Sequence, residues 1–240
     1  MKPLEKLKSI LGNKYETEDG DIYEIELLDG MNDQEITDFR QQLPDQFLPP
    51  EIEELLRFTK GFEFDGLDEV RFDSFGYFGF EELFPYSIQL AGDGFGNFWV
   101  LDIDSAGRWN SVYYVCHDPA VVVKHSENLS EFIAHVDEFG EKGEASNLDQ
   151  IHEEVVMKIW QDKNEKTQED DKDFDLSAIQ NELPETFFIA DLTDKPIRNG
   201  FAWGRSGPKT KIIRLKDNPV WVVEKKEKQG FLSNLFGQKK

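Results

Sequence analysis

The sequence of 240 residues contains a single cysteine, few basic residues and no long apolar segment. With Cys116 alone, an internal disulfide is excluded. No apolar run approaches the roughly 20 residues that a membrane-spanning helix needs. The N-terminal stretch also lacks the continuous apolar core of a signal peptide. We therefore expect a cytoplasmic protein in which Cys116 is an inert thiol within an apolar strand.

Complete metal or cofactor motifs are also missing. The four histidines are His117, His125, His135 and His152. They form no HExxH motif, and with one cysteine they cannot complete a structural zinc site. The Gly-rich stretch AGDGFGN, which contains Asp93, lacks the Lys-Ser/Thr of a P-loop and precedes a predicted strand rather than a helix. Residues 102–107 imitate the front of a calcium loop, but Ala106 and Tyr113 occupy ligand positions. We predict turns at both stretches, no metal and no cofactor.

No catalytic set is complete either. His117 and Asp118 are adjacent on a predicted strand, so their side chains point to opposite faces. Ser206 lacks the flanking glycines of a nucleophile elbow. We therefore expect no enzymatic activity, and we keep a hydrolase that uses the Asp102 and Asp104 turn as the weakest alternative.

The charge is strongly negative: 49 acidic against 27 basic residues give a formal net charge of -22. Such a chain repels nucleic acid, whose phosphates require Lys and Arg. It attracts a basic protein, including one whose own function is to hold DNA or RNA. The alternative that the charge serves only solubility stays open.

Hydrophobic periodicity predicts one large α+β domain and a smaller unit. Helical patterns at 33–43, 49–61 and 130–139 surround strand patterns between residues 69 and 125, with Ser130 or Asn128 as the cap of the last helix. The predicted organisation is an N-terminal extension at 1–30, the main domain at 31–140, a helix and charged linker at 141–172, a small β-rich unit at 173–226 and a basic amphipathic tail at 227–240. The tail is compatible with weak contact to a membrane or a partner, and also with a frayed terminus.

Aromatic residues cluster between residues 72 and 86, too densely for two-residue alternation to bury them all. We take this segment and neighbouring carboxylates as the candidate surface for a basic partner, because aromatic side chains dominate interface hot spots. The alternative is a loop folded over the core. The candidate partner-binding residues are Phe72, Asp73, Phe75, Tyr77, Phe78, Phe80, Glu81, Glu82, Asp93, Asp102 and Asp104.

The order of motifs resembles the SUKH superfamily, the family of the yeast cell-wall-assembly regulator and of many bacterial immunity proteins. The matching pieces are LPPEIEELLRFTKGFEF, IQLAGDGFGNFWVLDID, VYYVCHD and SENLSEFIAHV, within residues 43–136. This resemblance implies an α+β fold with a central, mostly antiparallel sheet flanked by helices, here with a small β-rich C-terminal unit added. It also implies a protein-binding role without enzymatic activity.

Two functions follow from the resemblance. In bacteria the family's usual role is to bind and neutralise a cognate polymorphic toxin, often a nuclease or deaminase. In fungi it supports cell-wall synthesis as a regulatory hub. We therefore expect an immunity protein that binds a basic toxin, with a regulatory scaffold of envelope assembly as the alternative.

Overall fold

The computed structural model describes residues 1–17, 19–67, 69–76, 79–162, 174–215 and 217–225. Its α-helices are α1 (Pro3–Ile10), α2 (Asp33–Gln42), α3 (Pro50–Phe58), α4 (Leu129–Lys142) and α5 (Met157–Gln161). Short 3-10 turns lie at Pro44–Gln46, Gly143–Ala145 and Ser177–Glu182, and a π-helical turn at Ile151–Val156 leads into α5. The strands are β1 (Tyr15–Glu16), β2 (Ile22–Tyr23), β3 (Glu26–Leu27), β4 (Gly61–Glu63), β5 (Val70–Arg71), β6 (Ser87–Gly92), β7 (Phe98–Ile103), β8 (Trp109–His117), β9 (Ala120–Ser126), β10 (Phe187–Asp191), β11 (Gly200–Ala202), β12 (Ile212–Arg214) and β13 (Val220–Glu224).

A five-stranded antiparallel sheet in the order β11-β9-β8-β7-β6 forms the centre of the fold. Its strands alternate apolar side chains between two faces, as the period of an extended chain requires. In β7, Trp99 and Leu101 enter the core beneath the helices, whereas Val100 enters a second core on the opposite face. The central sheet is therefore buried on both sides.

The helices cover the first face. The α4 helix begins at Asn128, whose side chain accepts a hydrogen bond from the Glu131 N–H at 3.0 Å and so satisfies an orphan donor of the first turn. Phe132, Ile133 and Val136 form its buried stripe. α1 packs against both α3 and α4. Of the two caps considered for α4, Asn128 is therefore the one used.

A second sheet, in the order β10-β13-β12, covers the opposite face. Its side chains join those of the central sheet in one buried cluster around Trp221. The C-terminal part of the chain also adds β11 to the central sheet. Gly200 is needed there because a Cβ atom would lie only 2.0 Å from the Val122 carbonyl oxygen. The C-terminal strands are thus hydrogen-bonded to, and packed upon, the sheet that precedes them in the chain.

The predicted α+β class, with a central antiparallel sheet flanked by helices and a small β-rich C-terminal unit, is confirmed. The predicted domain boundaries stay a prediction, and the basic tail at 227–240 lies outside the described residues. Among the helices that the structure describes, none has the length and apolar character needed to cross a membrane.

Candidate partner-binding groove

A groove of about 1560 Å³ lies on the helix-covered side of the fold, and we call it the acidic groove. Six stretches of chain supply its walls, between residues 16 and 153. Among the described residues that line it there is no Lys or Arg. Its carboxylates are Glu16, Asp19, Asp21, Asp65, Asp93, Asp118, Glu141, Glu144, Asp149 and Glu153. This concentration of like charge creates a strongly negative potential in the groove.

The turn between β6 and β7 forms one wall of the acidic groove. Asp93 organises it by accepting hydrogen bonds from the backbone N–H groups of Phe95 and Asn97, at 2.9 and 3.2 Å, and from the Asn97 side-chain amide at 2.6 Å. Gly94 and Gly96 adopt positive φ angles of 76° and 87°, which glycine tolerates without steric cost. The Gly-rich stretch is therefore a turn, and its shape projects Phe95 outward, where 82% of that residue is exposed.

Hydrogen bonds tie this turn to β8. The Tyr114 hydroxyl donates to Asp93 Oδ2 at 2.8 Å, and burial together with the Asp93 charge raises the pKa of Tyr114 well above its ordinary value. The phenol is consequently a permanent donor. Because the Asn97 amide nitrogen faces Asp93, its Oδ1 is the acceptor for the backbone N–H and ring Nδ1 of His117, at 3.1 and 2.9 Å. This hydrogen-bond network holds the β6–β7 turn against β8 without a bound partner.

The β1–β2 hairpin forms the opposing rim. Burial, then the nearby carboxylate of Asp65, raises the pKa of Tyr23 to about 12. Its ring packs edge-on against Phe64, with centroids 5.5 Å apart, and this contact fixes the hairpin to the core. The rim is therefore an aromatic surface surrounded by carboxylates.

The arrangement favours binding over catalysis. The Asp93 carboxylate is occupied by four hydrogen bonds, so it is positioned as a structural acceptor rather than as a general base. Among the described residues, no group of three or more His, Cys, Asp or Glu side chains could hold a metal ion. The groove also exceeds the 300–1,000 Å³ or so of small-molecule pockets, which are mostly apolar. A basic protein surface matches its size and charge better than a small ligand does.

Residues 30–135 match the family described as the SMI1 / KNR4 family (SUKH-1). They belong to the SUKH superfamily. No curated protein and no solved structure matches the chain. The matched SUKH region holds α2 to α3, β4 to β9 and the first half of α4, which are the elements that carry the sequence motifs. At the level of the family, this supports a protein-binding immunity or regulatory module, in a family that is generally non-enzymatic.

Most of the groove's charge comes from segments that flank the SUKH region. Asp65, Asp93 and Asp118 lie within residues 30–135. The other seven lining carboxylates, which precede or follow that region, are Glu16, Asp19, Asp21, Glu141, Glu144, Asp149 and Glu153. The SUKH sheet thus supplies the base of the groove, and the flanking segments supply most of the carboxylates that line it.

The structure distributes the sequence-predicted partner-binding residues between surface and interior. Phe72 is fully buried against Phe62, with ring centroids 5.9 Å apart. Asp102 is buried in an ion pair with Arg214, and complete burial raises the pKa of this carboxyl while the guanidinium opposes the rise. Asp104 is buried in its turn, where Arg108 Nε donates to it at 2.6 Å. Contacts within the fold account for the burial of these three residues. Their partner-binding role stays an untested prediction.

The remaining predicted residues that the structure describes lie nearer the surface. Asp73 pairs with Arg71 at 2.8 Å, and Glu81 accepts a hydrogen bond from the Gly79 N–H. Phe80 is half-buried against Trp203, with centroids 5.2 Å apart. Phe75 is half-buried and Glu82 exposed, while Tyr77 and Phe78 lie outside the described residues. Of the eleven, Asp93 is the residue that the structure places in the lining of the acidic groove.

Sequence reasoning missed the groove as a unit. Its acidic residues sit in several short segments, such as TEDGD and GEKGE, that carry no signal of being neighbours. The recurrence of Asp and Glu beside Gly in these segments was the available clue. Only the fold brings them to one side of the sheet.

His125 in β9 is buried, and His135 in α4 lies half-buried beside it. His125 Nδ1 and His135 Nδ1 both contact the Ser126 hydroxyl, at 2.8 and 3.1 Å. Asn147 Nδ2 lies 3.3 Å from His135 Nε2, and its Oδ1 accepts from Arg198 at 3.0 Å. This chain of contacts joins the central sheet, α4 and the C-terminal segment.

Burial, then the neighbouring His135 and Arg198, lowers the pKa of His125 well below its ordinary value. In the unfolded chain this histidine takes up a proton near pH 6.5, whereas in the folded protein it stays neutral. The unfolded state therefore binds more protons, and we expect the free energy of unfolding to fall by about 1.4 kcal/mol per pH unit below 6.5 from this group alone. Urea unfolding at several pH values measures the slope. His125→Gln should flatten it, and a slope that this substitution leaves unchanged would contradict the assignment to His125.

Proposed function

We propose that the protein is a non-enzymatic binding module that holds a basic protein partner in the acidic groove. The observation that carries the proposal is a lining with ten carboxylates and no Lys or Arg among its described residues. Complementary charge accelerates association and suppresses wrong partners. The exposed Phe95 offers an aromatic anchor of the kind that dominates interface energy.

The partner that best fits these features is a cognate polymorphic toxin, and the protein is then its immunity protein. A nuclease- or deaminase-type toxin is basic because it must approach nucleic acid. An acidic groove competes for the same basic surface and blocks it. The proposal includes a cytoplasmic site of action, where the lone thiol of Cys116 stays reduced. Since seven of the groove's ten carboxylates flank the SUKH region, specificity for one toxin would reside in those flanks.

The test is co-expression with the product of the adjacent reading frame. We expect the two proteins to co-elute and the cells to be protected from that product. Reversing three groove charges, with Asp19→Lys, Asp21→Lys and Asp65→Lys, should abolish both effects, because like charges facing each other at an interface cost several kcal/mol.

The matched control reverses three surface charges outside the groove, with Asp38→Lys, Asp45→Lys and Glu54→Lys, and it should leave binding and protection intact. Equal loss in both variants would refute the groove as the binding site. Binding without protection would instead favour the second candidate, a regulatory scaffold of envelope assembly, which the SMI1 / KNR4 match supports equally at the level of the family.

A further inference from the structure

A second cavity, of about 530 Å³, continues the acidic groove past the β1–β2 hairpin. The two share Thr17, Tyr23 and residues 65–67 in their linings. The second cavity adds further carboxylates, Glu24, Glu26, Glu63 and Glu69, again without Lys or Arg among its described lining residues. Because they share these residues, the two cavities adjoin and form one continuous track of negative charge. An extended chain can follow such a track through both cavities.

Aromatic side chains line the same track. Tyr23, Phe95, Trp99, Tyr114 and Phe139 all belong to the lining of the acidic groove. Arg, whose guanidinium is planar and weakly hydrated, stacks on such rings more favourably than Lys. The protein itself uses this contact elsewhere: the Arg205 guanidinium lies 5.6 Å from the ring centroid of Trp160. A lining that combines carboxylates with aromatic rings selects arginine among basic side chains.

Trp99, which lines the groove, also holds an unsatisfied donor. The residue is 3% exposed, and its Nε1 has no hydrogen-bond partner among the described residues. Its ring packs on Tyr114, with centroids 4.9 Å apart. A buried donor without an acceptor costs on the order of 1–3 kcal/mol. Because this nitrogen is itself buried, the backbone carbonyl of an occupant reaches it only when the surrounding side chains shift.

We propose that the acidic groove and its continuation bind an extended, arginine-rich segment of the partner protein. This inference rests on the proposed function, because it names the part of the partner that is held. The guanidinium groups pair with the carboxylates of the track and stack on its rings. The backbone of the segment lies towards the floor at Trp99.

The test uses the full-length protein and three fluorescein-labelled peptides of equal length, in which Gly alternates with Arg, Lys or Glu. At about 50 mM NaCl we expect the Arg peptide to bind, the Lys peptide to bind several-fold more weakly and the Glu peptide not to bind. At about 500 mM NaCl the affinity for the Arg peptide should fall, because salt screens exposed charges. Equal affinity for the Arg and Lys peptides would overturn the assignment of arginine.

Variants locate the bound peptide. Neutralising Asp19, Asp21 and Asp65 to Asn should weaken binding of the Arg peptide about tenfold or more, a loss of at least about 1.4 kcal/mol. The matched control, with Asp38→Asn, Asp45→Asn and Glu54→Gln, changes the net charge equally and should keep the affinity. The same loss in both would mean that the peptide responds only to net charge, which overturns the proposal.

Two single substitutions test the aromatic and polar contacts. Phe95→Ala should weaken binding of the Arg peptide more than binding of the Lys peptide. Phe47→Ala, also at an exposed position, should change the affinity for neither peptide. Trp99→Phe keeps a ring but removes the donor, and it should weaken binding of the Arg peptide several-fold. A cooperative urea unfolding transition checks that this variant is folded. Unchanged affinity in both Phe95→Ala and Trp99→Phe overturns the placement of the segment.

The outcome is separable from that of the proposed function. If the adjacent-frame protein co-elutes and its binding depends on the groove, but no Arg peptide binds, the module function stands and the extended segment is wrong. If the Arg peptide binds in the groove but the adjacent-frame protein does not, the assignment of the toxin is wrong and the recognised chemistry stands.

Discussion

Replacing Arg214 by Met is expected to lower the free energy of unfolding by about 3–5 kcal/mol, because it leaves the carboxylate of Asp102 buried without its counter-charge. The guanidinium donates two hydrogen bonds to this carboxylate, at 2.7 and 2.6 Å. Both side chains are almost completely buried, with 3% and 2% exposure. Water therefore cannot replace the lost partner, and urea unfolding of Arg214→Met and of the unchanged protein measures the cost.

The pair crosses from the SUKH sheet to the C-terminal sheet, so its loss affects the junction between the two layers. A second expectation follows from the cost of burying charge. Because two buried ions are expensive to desolvate, replacing both, with Asp102→Leu and Arg214→Met together, should recover most of the stability lost by the single variant. A double variant as unstable as the sum of the single ones would contradict this account.

Arg108→Met supplies the matched control. Arg108 also pairs with a buried carboxylate, that of Asp104, at 2.6 Å. Its side chain is 68% exposed, however, and two backbone N–H groups continue to satisfy Asp104. We therefore expect a loss of only about 0–1 kcal/mol, as for other exposed ion pairs. A loss as large as that of Arg214→Met would show that burial does not determine the difference.

The sequence predicted the central sheet well because the information is local. In β7 to β9, apolar side chains alternate over consecutive residues, and the turns at Asp93 and Asp104 carry their own Gly and Asp signals. The cap of α4 at Asn128 is a local signal of the same kind. Each of these features can be recognised from a few neighbouring residues in the sequence.

The aromatic segment could not be interpreted by the same rule. Phe72 is buried in the core beneath the helices, whereas Phe84 is buried in the core on the opposite face of the sheet. Between them, Phe75 forms an isolated bridge to Ile88 in β6, the edge strand. The segment therefore passes around the edge of the sheet, and no single periodicity describes side chains that face two different cores.

The acidic groove and the buried ion pair depend on long-range contacts. Asp102 and Arg214 are separated by 112 positions in the chain. Nothing in the sequence distinguishes Asp102 from the exposed carboxylates of a strongly acidic protein. For the same reason, the groove carboxylates appear in the sequence only as scattered acidic residues. The fold class was thus predictable from the sequence, but the site was not.

The second large effect is expected at Trp221, the centre of the core between the two sheets. Its ring packs against Phe84, Tyr113 and Phe201, with centroids 5.6, 6.0 and 5.0 Å away, and its Nε1 donates to the Leu83 carbonyl at 2.8 Å. Trp221→Ala should lower the free energy of unfolding by about 3–5 kcal/mol, because a large buried ring is replaced by a cavity. Trp221→Phe retains most of the ring and should lose about 0.5–1.5 kcal/mol, because one hydrogen bond to the Leu83 carbonyl is lost while the longer one from Arg214, at 3.4 Å, remains.

The same variants also separate stability from binding. Trp221 lies on the face of the central sheet opposite the core beneath the helices, to which the groove residue Trp99 belongs. The folded fraction of Trp221→Phe should therefore bind the Arg peptide with unchanged affinity, as measured by anisotropy well below its unfolding transition. If affinity fell in parallel with stability, the C-terminal layer would be part of the recognition surface. Unchanged affinity would show that the C-terminal layer stabilises the central sheet and that the peptide binds on the opposite side.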